Sequence, residues 1–436
     1  MVRKELQVCP QRRSKNNAAE VGNEIATQKN SSWVMVLCWV ATATAVFAAG
    51  ETIKIGILTS KSGVLSDYGL QDLRGFILGF EYATGGTNAI LGKKIEIVQE
   101  DDASNPQIGV QKAIKLLSED KVDILCGVVS SGIALAVMEK AKEFKKVYMI
   151  GGAAVDQITG SNFNVYTFRV GRSLGQAGVS ARIAYDQMDI LGLGKGEIKV
   201  AFLAPDYAGG RLGIESAKAG APARWKTVEE LYAPLTATDF TPCLQKIKPA
   251  APHVLGIITV GANFQTKLPQ QIMELGLDKK MAINVGIADF SFLKAVGAAG
   301  AGWIGECLYY YELFDNPVNQ WLVDNHKKKF GTLSDFWTGN SLAAAAALVE
   351  GIKKAKSVEA DALIKGLEGV EFWGPTSKTW KYRIRPADHQ VMIGINYVKL
   401  TAVPGRDYAV PEMIWQSTPQ QSESPITAPG RQNYGK

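Results

Sequence analysis

The chain is poor in the groups that perform chemistry. Three histidines occur in 436 residues, His253, His326 and His389. None lies near a candidate nucleophile, and neither a G-x-S-x-G elbow nor a Walker loop is present. The glycines of "GLGKG" (192–196) do not follow a strand in dinucleotide-binding register. Cysteine is scarce as well. Two of the five precede residue 49, and Cys126, Cys243 and Cys307 have mostly apolar flanks with no CxxC and no Cys/His cluster. An odd count excludes complete internal pairing, so the thiols read as buried and inert rather than as a disulfide or metal framework. Clustered positive charge is also missing. The formal charge of +6 includes six basic and three acidic residues in 1–48; the remainder holds 42 basic and 39 acidic residues, a charge of +3. No basic stripe interleaved with aromatics appears, which argues against nucleic acid as a partner. No metal, cofactor or catalytic residue is expected, and the chain is read as a non-enzyme. Asp101-Asp102, the adjacent acids nearest to an acid/base pair, end a strand, where acids more often set up the next turn.

Long apolar runs are absent except for one. "WVMVLCWVATATAVFA" spans Trp33 to Ala48 behind Lys29, and Val46-Phe47-Ala48 supplies small residues at the −3 and −1 positions for cleavage after Ala48. The run is shorter than the ~20 residues that cross a bilayer. Residues 1–48 are therefore read as a signal peptide and the mature protein as periplasmic; an uncleaved anchor is the alternative.

From Thr52 the hydrophobic pattern alternates between two periods. "TIKIGIL" (52–58), "KKIEIVQED" (93–101), "VDILCGVV" (122–129) and "VYMIGG" (147–152) are strands. Between them run helices, the first with Leu73, Phe76, Ile77 and Phe80 on one face, the second opened by Asn105-Pro106. The rhythm restarts near Gly196 with strands at 198–206, 227–232, 254–260 and 281–286. A strand at Gly305, a helix near 317–330, the Ala-rich helix 340–354, a short helix at 358–369 and strands at 380–384 and 392–400 complete it. Strand–helix alternation predicts parallel sheets, here two doubly wound Rossmann-like α/β lobes. Lobe 1 is expected from 51–170 and 310–371, lobe 2 from 171–309 and 372–415, and a disordered polar tail from 416–436.

Ser130 and Ser131 interrupt the apolar stretch "CGVVSSGIALAV" where a strand ends and a helix begins. Ligands in open α/β sheets bind at such strand ends. A helix start offers unpaired N–H groups, to which hydroxyls add donors, and a carboxylate buried there needs such partners. The bland alternative is a serine N-cap.

The order of "TSKSGVLSDYG" (59–69), "QEDDASNPQ" (99–107), "SS" (130–131), "GGAAVDQITG" (151–160), "APDYAGG" (204–210), "TDFTPCLQKIK" (238–248), "ELGL" (274–277) and "RPADHQ" (385–390) resembles the type-I periplasmic substrate-binding proteins of ABC importers, in their leucine/isoleucine/valine-binding branch, over about residues 52–400. The resemblance implies two lobes joined by a multi-strand hinge that close on a ligand, and docking of a monomer on an inner-membrane permease. It also implies a site. Tyr68 would cover the ligand; Ser131, with Ser130 beside it, and the backbone from Ala153 through Ala154 to Val155 would hold a carboxylate. Tyr207 and Trp337 (or Phe336) would supply aromatic walls, joined by Phe264. Two departures stand out. Val155 replaces the family's usual hydroxyl. In "VGIADF" (285–290) Ala288 falls at the position of the acid that meets a ligand ammonium, with Asp289 one place on. If Asp289 reaches inward it can meet the ammonium of a branched-chain amino acid; if it does not, the pocket suits a carboxylate lacking an amine, such as an aromatic or short-chain acid. A sensory ligand-binding domain of the same fold is the competing function, and an α/β enzyme a more distant one.

Overall fold

The computed structural model describes residues 52–429, residue 287 excepted; the expected signal peptide lies outside them. The first half runs β1 (Thr52–Thr59), α1 (Ser66–Ala83), β2 (Ala89–Ile90), β3 (Lys93–Asp101), α2 (Pro106–Ile114), β4 (Ile124–Gly127), α3 (Ser131–Glu143), β5 (Val147–Ile150) and β6 (Thr167–Arg169). The second runs α4 (Leu174–Arg182), β7 (Ile198–Pro205), α5 (Ala208–Gly220), β8 (Trp225–Ala233), α6 (Thr241–Ala250), β9 (Val254–Ile257), α7 (Ala262–Glu274), β10 (Ala282–Val285), α8 (Phe290–Val296) and β11 (Ile304–Glu306). Then follow α9 (Pro317–Phe330), α10 (Phe336–Ala355), α11 (Ala360–Leu367), β12 (Glu371–Phe372), β13 (Tyr382–Ile384), β14 (Val391–Met392), β15 (Asn396–Thr401) and β16 (Val410–Gln416).

Two sheets carry the fold. One has the order β2-β3-β1-β4-β5-β6, the other β16-β15-β11-β10-β9-β7-β8. Stripped of their antiparallel edges, both read second-first-third-fourth-fifth strand with parallel neighbours, so the internal repeat seen in the sequence pattern is a repeat of topology. Such an order has a switch point between its first and third strands, where crossovers leave to opposite faces and open a crevice at the carboxyl ends. The two switch points lie after β1/β4 and after β7/β9.

The first core joins Ile53, Ile55 and Ile57 of β1 with Phe76 and Phe80 of α1 and the alanine run 343–347 of α10. The second joins Leu203 of β7 and Leu255 of β9 with Phe240, Phe264 and Phe292. The chain passes between the sheets three times, after β6, after β11 and after β14. The last crossing is later than the pattern suggests. Phe372, Tyr382, Ile384, Val391 and Ile393, placed by sequence with lobe 2, are buried in the lobe 1 core. The short β12-β13-β14 sheet finishes that core, because α10 and α11 leave an apolar edge that nothing else covers. The tail also differs from expectation. Ser417 and Ser422 are fully buried, and Glu423 meets Arg385 at 3.1 Å. The polar side chains that suggested disorder find partners on the crossing segment instead.

Candidate functional site

The α3 start is built by a strained turn. Gly127 (φ 110°) and Val128 (φ 56°) both adopt left-handed backbone. A side chain at Gly127 would strike the Leu58 carbonyl at 2.1 Å, so glycine is required. A β-branched residue such as Val128 is unfavourable there, a strain of roughly 1–3 kcal/mol of the kind that collects at ligand sites. The turn projects Val129 and Ser131 into the space between the lobes. Ser130 is the N-cap residue by position, yet its hydroxyl makes no capping bond. Ser131, buried at 5 % exposure, donates to no described residue. The donors of the first α3 turn and the Ser131 hydroxyl thus remain available to a ligand.

A cavity of ≈150 Å³ opens here, bordered by Ser131, Ala154, Val155, Tyr68, Tyr207 and Trp337. These six expected site residues come together from α1, the start of α3, the loops after β5 and β7, and α10. The other four do not border it. Ser130 and Ala153 are buried beside it without lining it. Phe264 is fully buried in the lobe 2 core, its ring 4.7 Å from Phe240: it packs, and does not line the pocket. Asp289 is also diverted. Its Oδ1 accepts from the Phe292 N–H at 2.9 Å and caps α8. Burial and the neighbouring Asp335 push its carboxyl well above the usual range, which favours the uncharged acid. It stands behind Tyr68, outside the cavity, and is no countercharge for a ligand ammonium.

Tyr68, Phe336 and Trp337 form an aromatic wall. Tyr68 meets Trp337 edge-on at 5.7 Å and Phe336 at 6.0 Å, with Leu65, Val129 and Leu308 completing the apolar cluster. Trp337 is 6 % exposed, and its Nε1–H has no partner among the described residues. The Tyr68 hydroxyl crosses to the second lobe, donating to the Thr259 carbonyl at 3.1 Å and accepting from Gln265 Nε2. The Phe290 N–H donates to both oxygens of Asp335, at 3.3 and 3.2 Å. The lobes are therefore in contact across the cleft.

Sequence reasoning missed two residues. Arg172, on the first crossing, and Glu306, at the end of β11, both border the cavity at 7 % exposure. Arg172 Nε donates to Glu306 Oε1 at 2.5 Å, while its Nη1 and Nη2 donate to no described residue. Among the described residues they are the only charged ones on the lining. Each neutralises the other, and the guanidinium keeps two nitrogens for a further acceptor. The available signal was position, since a charged residue at a strand's carboxyl end faces the crevice. Arg169 acts one step away. Fully buried, it donates to the Val155 carbonyl at 2.6 Å, Thr159 Oγ1 at 2.8 Å and Gln390 Oε1 at 2.6 Å, fixing the 151–159 loop that presents Ala154 and Val155. Asp101 and Asp102 bind the hydroxyls and N–H groups of residues 60–62, 103 and 104. They fasten loops. Among the described residues no group of three or more His, Cys, Asp or Glu is placed to hold a metal.

Two doubly wound lobes meeting over a cavity at their paired switch points define the type-I periplasmic-binding-protein fold. The chain belongs to the periplasmic binding protein family, whose profile matches residues 52–403. It is 26 % identical over 367 residues to Leu/Ile/Val-binding protein homolog 6 of Brucella suis, covering 77 % of this chain and 87 % of that one. An ABC-type branched-chain amino acid transporter structure from Rhodopseudomonas palustris CGA009 superposes with a TM-score of 0.71 at 32 % identity, covering 86 % of this chain and all of that one. A solute-binding protein of an ABC transporter from Rhodopseudomonas palustris BisB5, in complex with 3,4-dihydroxybenzoic acid, gives 0.73 at 26 % identity, covering 84 % and 97 %.

Proposed function

We propose that this protein is the extracytoplasmic solute-binding component of an ABC importer, and that it captures a small carboxylate with an apolar or aromatic body and no ammonium group. The carboxylate sits between the Ser131 hydroxyl, the first α3 N–H groups and the free Arg172 nitrogens. The aromatic wall of Tyr68, Phe336 and Trp337 covers the part of the ligand that lies in the cleft. Closure is a rotation of the lobes about the three crossings, held by the Tyr68 and Asp335 bonds, and the closed monomer is the form a membrane permease receives. The protein performs no catalysis.

One observation carries this reading: the lining holds a single carboxylate, Glu306, and it is already neutralised by Arg172. An ammonium would compete with the guanidinium for that acid. The relative bound to a dihydroxybenzoate supports the same class. The similarity to Leu/Ile/Val-binding proteins supports a second reading, in which a zwitterion spans Arg172 and Glu306.

Calorimetry on the chain without residues 1–48, titrated with benzoate and with leucine, separates them. Benzoate binding without leucine binding is expected, and the reverse overturns the assignment. Ser131→Ala is expected to weaken benzoate by roughly ten- to a hundredfold, from the loss of a charge-assisted bond worth about 1.5–3 kcal/mol. An unchanged affinity removes Ser131 from the anchor.

A further inference from the structure

The cavity does not end in the cleft. Phe202, Gly256 and Asn284 stand side by side on β7, β9 and β10. Two residues on lie Ile258, Gly286 and Glu306, the last paired with Tyr397. Side chains two apart share a sheet face, so all seven residues face α4 and α5, and all seven border the cavity. Two residues of strand is about 7 Å. The void therefore continues about one ring length below the level of Glu306, into lobe 2, between the sheet and its own helices.

The chamber's helix side is built from small residues. Ala177, Gly178 and Ala181 of α4 and Gly213, Ser216 and Ala217 of α5 border it. A Cβ placed on Gly213 would meet nothing nearer than Ile258 at 3.7 Å. Its far end is polar. The Tyr185 hydroxyl donates to Asn284 Oδ1 at 2.8 Å, while Asn284 Nδ2 donates to no described residue. Trp225, beside Tyr185, has an Nε1–H with no described partner. Asn284 is half-buried and borders the cavity, so its Nδ2 is available to an acceptor on a ligand.

We infer that the solute is an arylalkanoate: its carboxylate lies in the cleft, a short spacer passes Gly286, and its ring lies in the lobe 2 chamber with a ring oxygen accepting from Asn284 Nδ2. This rests on the cavity being a carboxylate site. The volume of about 150 Å³ belongs to cleft and chamber together, which leaves room for one ring and not two. A branched-chain amino acid is too short to fill both cleft and chamber.

The test is calorimetry on the wild-type chain, Gly213→Leu and Asn284→Leu with 3-(4-hydroxyphenyl)propanoate, 3-phenylpropanoate and benzoate, with thermal unfolding run on each variant. The wild type is expected to bind the hydroxyphenyl ligand at least tenfold tighter than benzoate. Gly213→Leu, which fills the chamber, is expected to lose at least tenfold for both propanoates and less than twofold for benzoate. Asn284→Leu is expected to abolish the preference for the hydroxylated ring, which keeps the test open if Gly213→Leu does not fold. Benzoate binding that equals or exceeds propanoate binding, or a Gly213→Leu effect common to all three ligands, overturns the chamber and leaves the carboxylate site standing. Failure of all three ligands on the wild type overturns the site itself, and the chamber with it.

Discussion

Two helix–sheet layers of this protein use the same residues to opposite ends. On lobe 1, α1 turns Asp72, Gly75 and Gly79 toward α10. A Cβ on Gly75 would meet the Thr338 carbonyl at 2.6 Å, and one on Gly79 the Ala345 Cβ at 2.7 Å. The small residues let two helices touch, and the alanines of α10 then fill the layer above the sheet without a gap. On lobe 2, α4 and α5 also touch, a Cβ on Gly220 meeting the Gly178 carbonyl at 2.3 Å, yet a Cβ on Gly213 would meet nothing nearer than Ile258 at 3.7 Å. There the sheet presents Gly256 and Gly286 beneath the helices, and the Phe202 ring and Ile258 beside them fill the room only in part. Small residues make a seam where two helix backbones meet, as at Gly75, Gly79 and Gly178, and a chamber only where no backbone stands opposite, as at Gly213.

That contrast can be broken at its strongest point. Gly79→Leu forces a side chain into backbone and is expected to destabilise the fold by about 3 kcal/mol or more, measured by urea unfolding. A loss below 1 kcal/mol would mean the α1–α10 seam is looser than described. The seam also contains a pH dependence. Asp72 is fully buried, accepts from the Ser341 hydroxyl, and burial pushes its carboxyl up to about 7 from 3.8. A raised acid binds its proton more tightly when folded. Its contribution is complete below about pH 4 and is lost as pH rises through about 7, on the order of 2–4 kcal/mol. Asp72→Asn should flatten the stability profile between pH 4 and 7, and an unaltered slope would assign that profile elsewhere. The smallest effect belongs to the chamber side. Gly213→Ala meets only ordinary contacts and should raise stability by about 0.4–1 kcal/mol by restricting the unfolded chain. A loss of stability would show that the space beside Gly213 is not open.

Much of the fold was legible in the order of residues. Alternating isoleucines at 53, 55 and 57 can bury only one way in a strand, and Leu73, Phe76 and Phe80 only one way on a helix. Repeating that alternation twice left little choice but two parallel sheets. Ser131 was expected from its place at a strand end by a switch point, Tyr68 and Tyr207 only from the family resemblance, and all three border the cavity. Phe264 and Asp289 were not, since an aromatic or an acid beside a strand end serves a core or a helix cap equally well, and only the direction of its Cα–Cβ bond decides. Arg172 and Glu306 were hidden for a different reason. They lie 134 residues apart, and neither has meaning as a charge until the other is beside it.

The sequence by itself determined the elements, their parallel arrangement and the hydroxyl at the head of α3, because hydrophobic period and local backbone chemistry act over a few residues. Tertiary structure alone decided which glycines close a seam and which open a chamber, and which buried charges neutralise each other. Those outcomes depend on what stands opposite across the layer, and the opposing residue comes from a distant part of the chain.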